Sequence, residues 1–363
     1  MNKAYKFRIY PNKEQETLLA KTFGSVRFIY NRMLGDKMKH YEQTKENLKT
    51  TPAAYKSEFE WLKEVDSLAL ANAQLHLEAA YKNFFRDKST GFPKFKSRHK
   101  NHNSYTTNLV NGNIKLSGGY LKLPKLGGVK VKQHRQVPKE YRLKSVTVSR
   151  TPSGKHYASI LCEYEEAICS VEPKEVIGLD YSMKELYISS DGKSAEYPGY
   201  YRKMQEKLKK EQRKLSNCEK GSNNRNKQRL KVAKLHERAA NQRKDFLHKT
   251  ARQIANAADA VSVEDLNMKG MSKSMKFGKS VSDNGWGMFV SMLSYKLGEQ
   301  GKQLVKINKW FPSSKICSAC GMKKEELALS ERIYLCSCGN ILDRDINAAI
   351  NIKNEGMRML GIA

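Results

Sequence analysis

The sequence predicts a multidomain α+β protein, and three observations carry that prediction. At roughly 150 residues per domain, a chain of 363 residues makes two to three domains. The apolar periodicity changes along the chain, from helical spacing in the first hundred residues, to strand alternation over 104–164, to a mixture after residue 170. Hydrophobic residues make up 39%, with 18 Tyr and 12 Phe, which is enough for real cores and too much for a disordered basic tail.

Residues 4–10 alternate, with Tyr5, Phe7 and Ile9 on one side and Lys6 and Arg8 on the other, a half-buried strand that Pro11 ends. Asn12 with Gln15 three residues later reads as a capping box. It opens a helix whose core side carries Leu18, Leu19, Phe23, Val26, Ile29 and Met33. A second helix is predicted from about Ser67 to Phe85, on a stripe of Leu70, Leu77, Tyr81 and Phe84 or Phe85. Residues 86–100 turn basic. Short strands follow from Ser104 to Tyr164, among them a hairpin made by Val146 and Val148, the turn Thr151-Pro152-Ser153-Gly154, and Tyr157 to Leu161. A new unit opens near Ser170. Val176-Ile177-Gly178-Leu179-Asp180 is an apolar run ending in an acid, followed by Leu186-Tyr187-Ile188, the turn Asp191-Gly192 and a further short strand. Residues 201–250 form a basic helical region broken at 217–224, the second helix carrying Val232, Leu235, Ala239 and Phe246. Ala260 to Glu264 is again an apolar strand ending in an acid. A Gly/Ser/Lys-rich loop over about 269–285 leads to a helix with Phe289, Leu293 and Leu297, then a strand from Gln303 to Ile307 and a final helix from Asp345 to Met357. No segment repeats.

Charge narrows the partners. Lys+Arg number 67 against 37 Asp+Glu, a net +30, far beyond the 2–8 or so that keeps a small domain soluble. A field of that size on a folded chain points to a polyanion. A membrane is disfavoured: the first ten residues hold no apolar core of the signal-peptide kind, and no run approaches the roughly 18 apolar residues of a spanning helix. The expectation is a cytoplasmic nucleic-acid protein. Residues 201–250 hold 17 Lys+Arg against 5 Asp+Glu, which favours a phosphate-tracking surface over an ordinary solvated helix face. Lys94, Lys96, Arg98 and Lys100, interleaved with Phe92 and Phe95, suit backbone binding and base stacking; the two rings serve equally well as anchors of a loop. On the Ser67–Phe85 helix, Asn72, Gln74 and His76 offer polar groups among apolar neighbours, and amides read base edges. Facing solvent explains them as well.

Three carboxylates stand out. Asp180 and Glu264 end strands, and Asp345 opens a helix. Strand, hairpin, helix, strand and helix, with acids in those places, is how an RNase H-like sheet gathers carboxylates at one edge. Phosphodiester hydrolysis needs a positioned water and a stabilised leaving oxygen, and two hard cations about 4 Å apart do both. Oxygen donors without a His cluster suit Mg²⁺. Chance is the competing account, since 37 acids place some at strand ends. Asp343 complicates the last acid. Two residues from Asp345, it points about 200° away on a helix, and it is explained as an N-cap. The stripe Asp345, Ala349, Ile352 and the stripe Asp343, Ile346, Ile350 are equally apolar, so periodicity does not choose.

Of seven cysteines, Cys162, Cys169 and Cys218 are scattered, while Cys317, Cys320, Cys336 and Cys338 fall within 22 residues. An odd count and one cluster argue against a disulfide framework and for a structural, tetrahedral zinc site in a reducing compartment. Cys317-x-x-Cys320-Gly321 is a standard knuckle; Cys336-x-Cys338-Gly339 is one residue shorter than usual. Reduced, buried thiols are the alternative.

Together these residues resemble a known family. Lys3-Ala4-Tyr5-Lys6-Phe7-Arg8-Ile9-Tyr10-Pro11, Phe23-Gly24-Ser25-Val26-Arg27-Phe28 and Phe92-Pro93-Lys94-Phe95-Lys96 resemble the front half of TnpB, the OrfB-type proteins of bacterial insertion sequences. Gly178-Leu179-Asp180, Val263-Glu264-Asp265-Leu266, the cysteine cluster and Asp343-Arg344-Asp345-Ile346-Asn347-Ala348-Ala349 resemble its RuvC-like nuclease half. The resemblance runs through nearly the whole chain in order. It implies a β-barrel-like wedge domain (1–10 and 101–170) with a helical recognition insertion (11–100). An RNase H-like (RuvC) α/β domain (171–312 and 340–363) with an inserted zinc finger (313–339) would follow. It implies an RNA-guided DNA endonuclease of a transposable element, related to the type V CRISPR effectors. Such a protein binds a guide RNA transcribed from the element's end, recognises a short motif beside a double-stranded target through its N-terminal half, opens an R-loop and cuts both strands at one two-metal site. The family's acids fall on Asp180, Glu264 and Asp345, the last because the related acid stands two residues before the Asn of Asp-x-Asn-x-Ala, here Asn347. Its zinc ligands fall on the four clustered cysteines. The chain departs from the family in the short second cysteine pair and in Tyr181-Ser182-Met183-Lys184, which lacks the glycine common after the first acid. Two other readings stand beside this one: a guided DNA-binding repressor, which would have lost an acid, and an RNase H-like transposase, which needs no guide.

Overall fold

The computed structural model describes residues 1–87, 89–98, 102–274, 278–328 and 330–362. The chain divides into two units, Met1–Glu166 and Ala167–Ala363, and each mixes helices with sheet, as expected. Among the described residues no helix is long and apolar enough to cross a membrane.

In the first unit, β1 (Asn2–Tyr10) buries Tyr5, Phe7 and Ile9, the face its alternation predicts. It runs inside a seven-stranded antiparallel sheet. The order is β2 (Asn103–Asn108), β6 (Arg142–Arg150), β7 (His156–Glu163), β1, β5 (Gly127–Lys132), β4 (Tyr120–Leu123) and β3 (Lys115–Ser117). The predicted hairpin is β6–β7. Helix α1 (Lys13–Thr44) opens on the predicted capping box, with Gln15 N donating to Asn12 Oδ1 and Asn12 N to Gln15 Oε1. The Gln15 amide also donates to Leu126 O and Gly128 O, so the cap ties the helix to the chain entering β5. Helix α2 (Ser67–Arg86) is capped by Asp66. Leu19, Ile29, Met33, Leu70 and Leu77 join the sheet residues in one core. Of the predicted α2 stripe, Leu70 and Leu77 are buried, whereas Phe85 is 77% exposed; the helix outruns the sheet it packs on.

In the second unit, β8 (Val176–Ser182) and β9 (Leu186–Ser189) form an antiparallel hairpin. After it come α3 (Tyr200–Ser216) and α4 (Asn223–Ala257), then β10 (Ala260–Glu264). Next are α5 (Met268–Ser274), α6 (Gly278–Asn284), α7 (Trp286–Gly298) and β11 (Gln303–Ile307). A small ribbon of β12 (Ile333–Leu335) and β13 (Ile341–Asp343) precedes α8 (Arg344–Leu360). The sheet order is β11-β10-β8-β9, with β10 parallel to both β8 and β11. Parallel strands covered on both faces are apolar throughout, and Ala260, Val261 and Val263 are fully buried.

Two predicted features differ. The strand after Asp191-Gly192 is reduced to a single bridge, Ile188 with Ser194. The expected loop over 269–285 contains α5 and α6, with 275–277 outside the described residues. A local bond at α5 and tertiary bonds at α6 override the Gly/Ser composition here. Asn267 Oδ1 accepts from Gly270 N at the start of α5. At the end of α6, buried Asp283 accepts from Tyr197 Oη and Tyr201 N, and Asn284 Nδ2 donates to Ser182 O.

Candidate active site and cysteine cluster

Two glycines set the site. A Cβ on Gly178 of β8 would collide with Ala349 O and Lys353 N of α8, and one on Gly356 of α8 would collide with the Ser262 side chain of β10. Glycine at both positions lets α8 lie directly on the two strands. Side chains two apart on a strand share a face, so Asp180 follows Gly178, and Glu264 follows Ser262, on the side α8 covers. Asp345 lies one helical turn before Ala349. The same close packing therefore gathers the three acids where parallel β8 and β10 end.

Their electrostatics agree. Asp180 keeps some surface open, yet its carboxyl is pushed well above the ordinary range, first by loss of water and then by the charges of Glu264 and Asp345. Burial also raises Glu264, opposed by the Ser313 hydroxyl, which donates to Glu264 Oε1 at 2.6 Å. Asp345 has Arg344 Nε at 3.5 Å and Arg332 at 3.9 Å. Asp343 is engaged differently: Oδ1 accepts from Asp345 N at 2.8 Å and Ile346 N at 3.1 Å, the N-cap of α8. Ala349 and Ile352 are fully buried while Ile346 and Ile350 are half-buried, so the stripe with Asp345 is the inner one.

Two residues whose clamping role sequence reasoning passed over hold the site together. Asn347 and Asn351 are buried on α8. Asn347 Nδ2 donates to Ile316 O at 2.7 Å, and its Oδ1 accepts from Ser318 N at 2.9 Å. Asn351 Nδ2 donates to Ser313 O at 2.8 Å and to Ile316 O at 2.6 Å. Together they clamp the segment carrying Ser313 and Cys317. Their available signal is two amides at i, i+4 on an apolar helix face, since buried amides are bonded to something.

The cysteine cluster closes despite its short second pair. Its four sulfurs lie within 4.8 Å of one another, with Cys317 Sγ 3.7 Å from Cys338 Sγ and Cys320 Sγ 3.6 Å from Cys336 Sγ. A tetrahedron with metal–sulfur bonds of about 2.3 Å has edges of about 3.8 Å, so the donor set fits zinc. Gly321 and Gly339 follow the knuckles at φ 75° and 86°, the left-handed region that closes each turn. Burial works to raise Cys317, but the Cys320 N–H, the Asn340 amide and the Ala319 N–H outweigh it and bring the thiol down to about 6.

The proposed nucleic-acid contacts divide. Asn72 is a correction: it is buried, and its Nδ2 donates to Leu68 O at 2.8 Å, so the amide braces its own helix and presents nothing to a groove. Gln74 is half-buried, its amide donating to Glu78. Lys94 and Arg98 are exposed. Lys96 is half-buried, its ammonium 3.8 Å from the Tyr30 ring centre and its backbone paired with the Asn31 amide. Phe92 and Phe95 remain 42% and 57% exposed. Lys100 lies outside the described residues.

Comparison with known proteins covers both units of the chain. Family profiles match residues 1–46 (OrfB_IS605 "Helix-turn-helix domain", here β1 and α1), 159–275 (OrfB_IS605, "Probable transposase") and 286–352 ("Cas12f1-like, TNB domain"). A "Putative RNA-guided DNA endonuclease" of Streptomyces pristinaespiralis is 35% identical over 98% of this chain and 90% of its own. The Escherichia coli protein "Putative RNA-guided DNA endonuclease InsQ" is 32% identical over 98% of this chain and 93% of its own. A Cas12f1 chain, solved in complex with sgRNA and target DNA, has the same fold at 14% identity, with a TM-score of 0.60 over 98% of this chain and 99% of that one. Identity at this level along nearly the full length of both relatives means that the chain belongs to the OrfB_IS605 family of TnpB-like proteins.

Proposed function

We propose that the protein is an RNA-guided DNA endonuclease of a transposable element. It holds a guide RNA, pairs it with a double-stranded DNA target beside a short flanking motif, and hydrolyses phosphodiester bonds at Asp180, Glu264 and Asp345. The observation that carries this reading is the convergence of three carboxylates on one sheet edge of a chain with net charge +30.

The donor set fits Mg²⁺. Three hard oxygen donors crowd together and hold Asp180 toward its protonated form, with Arg344 offsetting only part of that push and Arg332 standing beside Asp345; such a site is short of positive charge. Asp180, Glu264 and Asp345 would hold a pair of Mg²⁺, which supplies charge at the attacking and leaving oxygens of an in-line displacement. The chain's own residues fix the geometry. Ser313 orients one oxygen of Glu264, Asp343 sets the first turn of α8 and with it Asp345, and Gly178 lets α8 lie on β8 at Ala349 and Lys353. The four cysteines would hold a structural zinc, with Asn347 and Asn351 joining the knuckle to the carboxylates.

The domain reading follows from the same features. The β11-β10-β8-β9 sheet crossed by α8 supports a RuvC-like domain over 171–312 and 340–363, with the zinc finger inserted at 313–339. The antiparallel sheet supports a wedge over 1–10 and 101–170, and α1 and α2 a recognition insertion over 11–100. Gln74, Lys94, Lys96 and Arg98 belong to that insertion and are proposed nucleic-acid contacts. The protein works in the cytoplasm, at the nucleoid when bound to DNA.

The test is to purify the protein, sequence the RNA that co-purifies, and supply a plasmid matching that RNA with Mg²⁺. We expect one defined RNA and cleavage at the matched site that a chelator stops. Cleavage undiminished after the RNA is removed would overturn the guided reading.

A further inference from the structure

We propose that Trp310 is a base-stacking platform for the DNA strand being cut, an inference that rests on the nuclease reading above. At 80% exposure it is the most open large hydrophobic side chain among the described residues; Trp286, in contrast, is 2% exposed. An indole standing in water is unfavourable unless something covers it. The ring is not on a slack segment. Trp310 N donates to Asn308 Oδ1 at 2.9 Å and Phe311 N to Asn308 O at 3.0 Å, a tight turn directly after β11. Beyond it, Asn351 holds Ser313 O and Ile316 O.

Position names the ligand. Glu264 is paired in register with Ile307, and its carboxylate accepts from Ser313. Trp310 lies midway between those two contacts, three residues from each, and three residues span at most about 11 Å. Stacked nucleotides repeat about every 3.4 Å along a strand, so the ring reaches a base within about three nucleotides of the bond at the carboxylates. Lys309, exposed, holds its ammonium 4.9 Å from the indole centre, a cation placed for the neighbouring phosphate. An aromatic face with a lysine beside it accepts any base, because every base has a π face. That indifference suits an enzyme whose sequence selection is made by pairing with a guide.

The test uses the guide-loaded protein. In an Asp180→Asn background, which keeps the DNA uncut, 2-aminopurine is placed at successive positions of the target around the cut site. We expect its fluorescence to be quenched at one or two positions, the quenching to vanish with Trp310→Ala and to remain with Trp310→Phe. In the active protein, Trp310→Ala should slow single-turnover cleavage about five- to a hundredfold, Trp310→Phe should restore most of it, and neither should change the melting temperature. A Trp310→Ala protein with unchanged quenching and rate would overturn the proposal. So would a Trp310→Phe protein as impaired as the alanine variant, since the ring face would then not be what acts. Absence of cleavage by the unsubstituted complex would refute the nuclease reading instead, and the fluorescence of the Asp180→Asn complexes would still decide the role of Trp310.

Discussion

Asp343 and Asp345 have the same side chain two positions apart and different work. The Asp343 carboxylate is spent on two backbone N–H groups at the start of α8, whereas Asp345 bears on Asp180. Asp345→Asn should therefore slow guided cleavage about a hundredfold or more, a loss of several kcal/mol of transition-state stabilisation, with guide and target binding intact. Asp343→Ala should mainly lower stability by about 1 kcal/mol, read as a melting shift. A dead Asp343→Ala protein beside a robust Asp345→Asn one would reverse the assignment. The sequence named both acids, but two equally apolar stripes left the choice to family resemblance; burial of Ala349 and Ile352 puts Asp345 on the inner face. Ser313 and Asn351 were not legible as partners. They lie 38 residues apart, and no local pattern joins a serine before a knuckle to an amide in a closing helix.

At the scale of elements, what was legible is what is locally encoded. β1 follows from strict alternation and α1 from the Asn12–Gln15 box, both complete within a few residues. α6 was not legible, because its bonds to Tyr197, Tyr201 and Ser182 come from other elements, and α5, opened by the local Asn267–Gly270 bond, is hidden in a Gly/Ser/Lys-rich stretch. Asn72 failed for a different reason: its partner, Leu68 O, is on its own helix, and sequence shows an amide among apolar residues and not which way it turns. Asp259 shows how one side chain sets an edge. Standing just before β10, it accepts from Glu175 N and Lys174 N ahead of β8, and Lys302 Nζ, ahead of β11, lies 3.7 Å away. The Glu175 N–H holds its carboxyl below the usual range, against loss of water and with help from Lys174 N and Lys302. A depressed native pKa gives stability that is present above the unfolded carboxylate pKa of about 3.9 and is lost as pH falls through the native value. Asp259→Asn should thus melt below the unsubstituted protein at neutral pH, and the gap should close in acid, where a protonated Asp259 resembles the amide. A gap independent of pH would mean that the charge contributes nothing.

For the whole molecule the governing quantity is charge, and it was fully legible because it needs no fold. Residues 201–250 carry 17 of the 67 Lys+Arg and only 5 of the 37 Asp+Glu, and the structure turns them into the α3–α4 pair. Gln228 on α4 donates to Glu211 on α3, and Leu208 is buried. Lys207, Lys210 and Arg213 are exposed on α3 at spacings of three, on one side of the helix. A helix face presenting three cations, with Glu206 the acid beside them, is suited to a phosphate backbone. Each phosphate neutralised releases counterions, so the logarithm of affinity falls linearly with the logarithm of salt, by about 0.7 per contact on a single strand and about 0.9 on a duplex. Replacing Lys207, Lys210 and Arg213 together by Gln should weaken guide-RNA binding at low salt and flatten the salt slope by about two. The melting temperature should hold, because none of the three is buried. A weaker affinity with an unchanged slope would mean that these residues shape the helix pair without touching phosphate; an unchanged affinity and slope would place the RNA elsewhere on the chain.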